Sequence, residues 1–218
     1  MALNWQRVVD DFTPVMQLVH LAGRYDAVDE ERIRSELLSM RRKAYNDELA
    51  IQAQKVGCKG LVGRLSNGAI LSALNDDSER DAKSIANTFN YYWALEVQRA
   101  KQDNPRGNRS YYSKRYREWA PTYWQWKDVQ VAGMTDNTAR AQAQQDFYQF
   151  NGGILGTARL QPRTAVCPVC QGWIDRGTVP LRVALNNPPP YHVNCPHVWE
   201  TRPDKVTKED CQILWMGE

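Results

Sequence analysis

The sequence has no long apolar run and little excess charge of either sign. Its longest apolar stretch, 15–22, is interrupted by Gln17 and His20, and it is far shorter than the ~20 apolar residues of a membrane-spanning helix. The formal net charge is only +3, which does not by itself require a nucleic-acid partner. With 42% hydrophobic and 24% charged residues, the chain is expected to be globular, soluble and without membrane association.

The sequence also lacks the common hydrolase motifs. It contains no Gly-x-Ser-x-Gly and no His-Glu-x-x-His. The glycines within 57–63 are not followed by Gly-Lys-Ser/Thr, so this segment is predicted to be a loop without phosphate-binding function. His20 is isolated on a predicted apolar helix face, Cys58 and Cys211 have no histidine nearby in the sequence, and the acidic residues have the spacing of solvated helix faces. We therefore predict that the protein is not an enzyme.

Phenylalanine is scarce relative to the other aromatic residues. The chain has four phenylalanines against eight tryptophans and ten tyrosines. Rings with a polar group are favoured where one end of the side chain is buried and the other is wet, as at protein interfaces. Tryptophan and tyrosine are more commonly explained by packing in a large core. Their excess over phenylalanine is therefore compatible with an interface but does not require one.

Apolar periodicity predicts helices over most of the first two thirds of the chain. The predicted helices begin near residues 13, 29, 77 and 136 and end near residues 23, 56, 103 and 151. After Leu160 the sequence changes to short extended pieces, prolines and turns. We predict a mainly α member of the α+β class, with a helical body over 1–135 and a small irregular, metal-stapled domain with short strands over 136–218.

The most basic and aromatic stretch of the chain covers residues 106–127. It contains seven tyrosine or tryptophan rings, and its six basic residues against the single acid Glu118 give 6 − 1 = +5. Cations bind phosphates and rings stack on bases, so DNA contact is one interpretation. The other interpretation is an amphipathic segment whose rings pack against the helical body while its arginines face water. The residues predicted to contact DNA or a protein partner are Arg106, Arg109, Lys114, Arg115, Arg117, Trp124 and Lys127.

A cluster of metal-ligand residue types lies near the end of the chain. Three of the five cysteines and two of the three histidines fall within 167–197. Cys167 and Cys170 are separated by two residues, and His192 and Cys195 repeat that separation after a 21-residue loop. Cys-x2-Cys-x21-His-x2-Cys is close to the spacing of zinc ribbons and fingers, and thiolate and imidazole are preferred structural zinc ligands.

The cluster has one ligand more than a tetrahedral site needs. We predict Cys167, Cys170, His192 and Cys195 as the zinc ligands, with His197 as the alternative to His192. His197 qualifies because an extended backbone places it on the same side as Cys195. Since a catalytic zinc keeps a position open for water, five available ligands favour a structural ion.

Other states of these cysteines are open on the sequence alone. Cys167 could form a disulfide with Cys170, or Cys170 with Cys195, and all three could be buried thiols that pack as small apolar groups. No secretory leader precedes them. The reducing cytosol that this implies disfavours a disulfide.

Residues 136–200 resemble the phage Mu F-like minor head protein family. The resemblance rests on Thr138-Ala139-Arg140, Cys167-Pro168-Val169-Cys170, Asp175-Arg176-Gly177, Val179-Pro180-Leu181 and Pro189-Pro190-Tyr191-His192-x-Asn194-Cys195. The family usually ends this pattern with Pro-Pro-x-His-Pro-x-Cys-Arg-Cys. Here Val193 replaces the proline, Pro196 the arginine and His197 the last cysteine, which exchanges one zinc-competent ligand for another.

The resemblance implies a structural component of a tailed-phage virion that acts in head assembly and in DNA packaging or ejection. Its implied partners are the portal protein, major capsid or neck proteins and phage DNA, in a multi-copy or ring-like assembly. The implied location is the head or head-to-tail region, with assembly in the host cytoplasm. Alternatives are a zinc-stapled nucleic-acid-binding protein, a phage nuclease or toxin, and a host-derived cytosolic zinc module.

Overall fold

In the computed structural model, the described residues are 27–58, 60–62, 68–151, 155–161, 166–189, 195, 197–204 and 210–212. Helices make up most of this part of the chain. The elements are α1 Ala27–Val56, β1 Gly60–Val62, α2 Gly68–Asp103, α3 Arg109–Phe150, β2 Gly156–Leu160, α4 Pro168–Asp175, β3 Thr178–Pro180, α5 Leu181–Leu185, β4 Trp199–Pro203 and β5 Asp210–Gln212. The predicted fold class, mainly α with a small strand-containing C-terminal region, is confirmed.

Helix α1 follows the predicted periodicity closely. Of the four apolar residues at helical spacing, Ile33, Leu37 and Ala44 are buried and Met40 is half-buried. The helix ends at Val56, and Gly57 follows it with φ 84°, a left-handed conformation that glycine adopts at little cost. The predicted helix near residues 13–23 lies outside the described residues, and so does His20.

Two other long helices extend beyond their predicted bounds. Helix α2 begins at Gly68, well before the predicted start near Asp77. Helix α3 is continuous from Arg109 and therefore includes most of the basic-aromatic segment as well as the helix predicted from Asp136. Its end at Phe150 was predicted, but Phe150, which the apolar periodicity of Ala139, Ala143 and Phe147 assigns to the buried face, is 40% exposed. None of the helices in the described ranges is both long and apolar enough to cross a membrane.

The segment around Cys58 differs from both predictions made for it. Gly60–Val62 is the strand β1, which pairs in parallel with β5, so 57–63 is not simply a loop. Because no histidine lies near Cys58 in the sequence, a structural thiol was predicted there, but Cys58 is disulfide-bonded. Cys211 lies in β5, and its side chain is outside the described part of the structure.

A three-stranded antiparallel sheet, in the order β3-β2-β4, forms the C-terminal region. Ala158 pairs with Val179 on one side and with Thr201 on the other. Gly156, at the start of β2, has φ 155°, and a Cβ there would lie 2.6 Å from the carbonyl oxygen of Arg202. Only glycine allows the two backbones to approach this closely.

The chain divides into two compact units that do not follow chain order. The first comprises Met1–Ser39 and Ala73–Ala132, and the second comprises Met40–Ser72 and Gly133–Glu218. In the first unit, Arg115 of α3 forms ion pairs with Glu96 at 2.7 Å and Asp103 at 3.2 Å. The second unit contains the sheet and all the described cysteines.

The core of the second unit combines apolar and polar side chains. Its largest fully buried side chains include Tyr45 on α1, Phe147 on α3 and Leu160 on β2. The Tyr45 hydroxyl donates to Asp146 at 2.7 Å. Burial of such an aromatic ring stabilises the fold, provided that its hydroxyl finds a partner.

Candidate metal centre

Three of the predicted or alternative ligands meet in the second unit. The ligand atoms of Cys170, Cys195 and His197 all lie within 4.8 Å of one another, and the group could hold a metal ion. The two sulfurs are 3.7 Å apart, and the Cys195 Sγ lies 3.6 Å from the His197 Nδ1. All three side chains are buried, with exposed fractions of 0–1%.

These separations match the edges of a zinc tetrahedron. Zinc–sulfur bonds of about 2.3 Å and zinc–nitrogen bonds of about 2.0–2.1 Å give edges of about 3.8 Å between two sulfurs and about 3.6 Å between sulfur and nitrogen. A disulfide would require sulfurs about 2.05 Å apart. None of Cys167, Cys170 and Cys195 is in a disulfide, so neither of the disulfides considered for them is formed.

Cys167 stands beside this trio at the beginning of α4. It is the N-cap residue, and its Sγ accepts a hydrogen bond from the Cys170 backbone N–H at 3.3 Å. Pro168 occupies the first helical position, where its missing N–H and fixed φ suit the start of a helix. This turn places the Cys167 and Cys170 thiols close enough to interact.

The pKa values of the two thiols of this turn are shifted in opposite directions. The hydrogen bond from the Cys170 backbone N–H lowers the pKa of Cys167, because it stabilises the thiolate. Burial raises the pKa of Cys170 to about 12, and the neighbouring Cys167 and Cys195 thiols contribute to the increase. A bound cation would reverse this effect, since metal coordination favours the thiolate.

The other two ligands come from the segment that enters β4. Cys195 and His197 are separated by one residue, which puts both side chains on the same side when the backbone is extended. Antiparallel pairing of β4 with β2 fixes the end of this segment. The site thus combines a helix N-terminus with the residues that precede an edge strand.

The structure places some of the predicted ligands in the cluster and does not describe others. Cys170 and Cys195 come together as expected, and Cys167 lies next to them. His197, predicted as the alternative, is in the cluster, whereas His192 lies outside the described residues. The choice between the two histidines therefore remains a prediction, with His197 placed where a ligand is needed.

A network of buried polar side chains surrounds the segment that carries Cys195 and His197. The Asn137 Nδ2 donates to the Cys195 carbonyl oxygen at 3.0 Å, and the Gln144 Nε2 donates to the Trp199 carbonyl oxygen at 3.2 Å. Gln52 accepts hydrogen bonds from Tyr148 and Thr201, each at 2.7 Å. These bonds connect the ligand segment and β4 to helices α1 and α3.

A second part of the network is ionic. Arg140 of α3 pairs with Asp136 at 2.8 Å and with Glu48 of α1 at 3.4 Å. Glu48 also accepts from Gln144 at 2.8 Å. Helical spacing of Glu48 and Asp136 predicted solvated positions, yet they are only 6% and 5% exposed. Arg140, part of the Thr138-Ala139-Arg140 motif, is the sequence signal for this network, but its spacing alone does not show that Glu48 lies beside it.

The predicted contact residues of the basic-aromatic segment lie in the first half of α3 or, for Arg106, just before it. Arg106 and Lys114 are exposed. Arg115 is engaged with Glu96 and Asp103, and this pairing raises the pKa of its guanidinium. Arg109, Arg117, Trp124 and Lys127 belong to the same helix, but their side chains are outside the described set.

Comparisons with protein-family models, with curated proteins and with solved structures gave no match.

Proposed function

We propose that this chain is a non-enzymatic structural protein whose C-terminal region is stapled by one zinc ion bound to Cys167, Cys170, Cys195 and His197. The observation that carries this proposal is the agreement between the observed ligand separations, 3.7 and 3.6 Å, and the edges of a zinc tetrahedron. Three thiolates and one imidazole would form a closed set. Such a set leaves no coordination position for a catalytic water.

The chemistry of the donors favours zinc over harder cations. Calcium and magnesium prefer oxygen ligands, whereas this cluster offers sulfur and imidazole nitrogen. Zinc binding to small modules contributes roughly 10–16 kcal/mol to folding at neutral pH. That free energy would hold together two short segments, 167–170 and 195–197, that lie 25 residues apart in the sequence.

The biological role that we propose for this stapled protein is that of a bacteriophage minor head protein. Support comes from the Cys-x2-Cys and Pro-Pro-x-His-x2-Cys frame within 136–200, which resembles the phage Mu F-like family. Such a protein would act at the head or head-to-tail region, in contact with portal, capsid or neck proteins. A metal staple suits a small domain that must persist through assembly.

Protein contact suits the basic-aromatic segment better than DNA contact. Arg115 is already paired with two carboxylates, and the Nζ of Lys114 lies 3.9 Å from the Oε1 of Glu118. These pairs reduce the positive charge that phosphate binding would use. Salt-sensitive binding of single-stranded or duplex DNA by the purified protein would favour the nucleic-acid alternative instead.

The head-protein role is tested by mass spectrometry of purified virions from the phage that encodes the chain. We expect the protein in mature particles, at a copy number far below that of the major capsid protein. A portal gene beside this one would support the same role. Virions that assemble and mature without the protein would contradict the proposal, even if the zinc site is real.

A further inference from the structure

Two amide side chains on one face of α3 hold the backbone on both sides of His197. Asn137 donates to the carbonyl oxygen of Cys195, two residues before the histidine. Gln144 donates to the carbonyl oxygen of Trp199, two residues after it. The contacts join positions 58 and 55 residues apart in the sequence, so they are tertiary contacts between the helix and the ligand segment.

Asn137 and Gln144 are seven residues apart in α3. Seven residues of α-helix make two turns and rise about 10.5 Å, which returns both side chains to the same face.

Both side chains are buried, and the NH2 group of each donates to one of these carbonyl oxygens. Asn137 is 0% exposed, and its Oδ1 accepts no hydrogen bond within the described structure, so its one polar bond is the donation to Cys195. Gln144 is 6% exposed and uses its Nε2 for both the Trp199 carbonyl and Glu48. Burying an amide is costly unless it forms such bonds.

Glu48 supports the Gln144 end of this arrangement. Its Oε1 accepts from Gln144 at 2.8 Å and from Gln52 at 2.5 Å, and its Oε2 faces Arg140 at 3.4 Å. A carboxylate held by three donors is a fixed acceptor. The contact with Glu48 therefore holds the Gln144 amide in one orientation.

We infer that Asn137 and Gln144 form an amide clamp that positions Cys195 and His197 for the metal. The inference rests on the proposed zinc site. With the carbonyls of residues 195 and 199 fixed, the backbone of the intervening histidine has little freedom to move. The clamp residues do not bind the ion themselves; they act through the ligands, as outer-shell partners of metal sites do.

The test compares zinc affinity in the full-length protein and in three variants. Asn137→Leu and Gln144→Met keep nearly the same shape but remove the donating NH2 group from each side chain and add no charge. Gln142→Ala is the matched control, because Gln142 lies on the same helix and donates to Asp146 instead. Affinity is measured by chelator competition, and ligand geometry by the absorption spectrum of the Co²⁺-substituted protein.

We expect each clamp variant to bind one metal ion about 10–100-fold more weakly than the wild type, the usual effect of removing an outer-shell partner. Their Co²⁺ absorption bands should also shift, which a loss of general stability would not cause. Gln142→Ala should match the wild type in both. Clamp variants with wild-type affinity and an unchanged spectrum would overturn the inference and leave the zinc site intact.

The remaining outcomes are also decisive. A wild-type protein that binds no Zn²⁺ or Co²⁺ would remove the proposed function and the clamp with it. If both clamp variants fail to fold even with excess Zn²⁺, as judged by circular dichroism, the two amides are general core residues and the inference is wrong. If only one folds, the affinity and spectrum of that variant decide.

Discussion

The Nδ1 of His197 lies 3.6 Å from the Sγ of Cys195, in a pocket where both side chains are fully or almost fully buried. We therefore predict that His197, two residues after the cysteine, is the histidine that completes the metal site. Bound metal would be shielded from water by the same packing.

The buried ion pairs of Arg140 are expected to be essential to stability. Arg140→Ala would leave Asp136 and Glu48 as buried carboxylates without their cation. Removing one partner of such a pair costs about 3–5 kcal/mol, so the free energy of unfolding should fall by that amount in urea denaturation. Arg80→Ala is the control, since Arg80 pairs with Asp77 on an exposed surface and its loss should change stability little.

Gly156 is expected to tolerate no side chain. Gly156→Ala would place a Cβ 2.6 Å from both the Arg202 carbonyl oxygen and the Pro203 Cα, at φ 155°. We expect a loss of roughly 1–3 kcal/mol in the free energy of unfolding, the cost typical of strained backbone. Gly172→Ala, in α4 with no atom near the added carbon, should be neutral or slightly stabilising. Equal effects of the two substitutions would refute the close approach of β2 and β4.

Asp146 is expected to make stability depend on pH. Burial raises its pKa, and hydrogen bonds from Tyr45 and Gln142 offset only part of that increase. A raised carboxyl pKa stabilises the fold while the group is protonated, and this contribution is lost as pH rises from about 4 through the pKa of the folded state. Asp146→Asn should therefore become more stable relative to the wild type as pH rises through this window. Thermal melts of both proteins at several pH values would show it, and a constant difference would contradict it.

The disulfide at Cys58 can be tested by counting the thiols that react with and without reductant. Cys58 is disulfide-bonded, whereas Cys167, Cys170 and Cys195 are not in disulfides. After metal removal and unfolding without reductant, three thiols per chain should react with a thiol reagent, and five should react after reduction. Five reactive thiols without reductant would show that Cys58 is reduced.

Sequence patterns predicted the long helices because their apolar residues keep a helical period. Ile33, Leu37 and Ala44 in α1 are examples. The Cys-x2-Cys turn was also predictable, since its two-residue spacing is short enough to be set locally. His197 could be recognised as a candidate from its position beside Cys195.

The polar core could not be predicted in the same way. Glu48 and Asp136 have the spacing of exposed helix residues, and their burial depends on Arg140, which is 92 residues from Glu48 in the sequence. Asn137 and Gln144 likewise act on carbonyl groups far along the chain. Such contacts arise only when the helices and the sheet pack, so no local pattern marks them.

Metal analysis of the full-length protein and a matched pair of histidine variants tests the central claim most directly. We predict one zinc ion per chain in the wild type and in His192→Ala, and a loss of stoichiometric zinc in His197→Ala. Spectra of the Co²⁺ protein should show thiolate charge-transfer bands and tetrahedral ligand-field bands. A zinc-free wild type, or a His197→Ala variant that retains one zinc per chain with an unchanged Co²⁺ spectrum, would contradict the account.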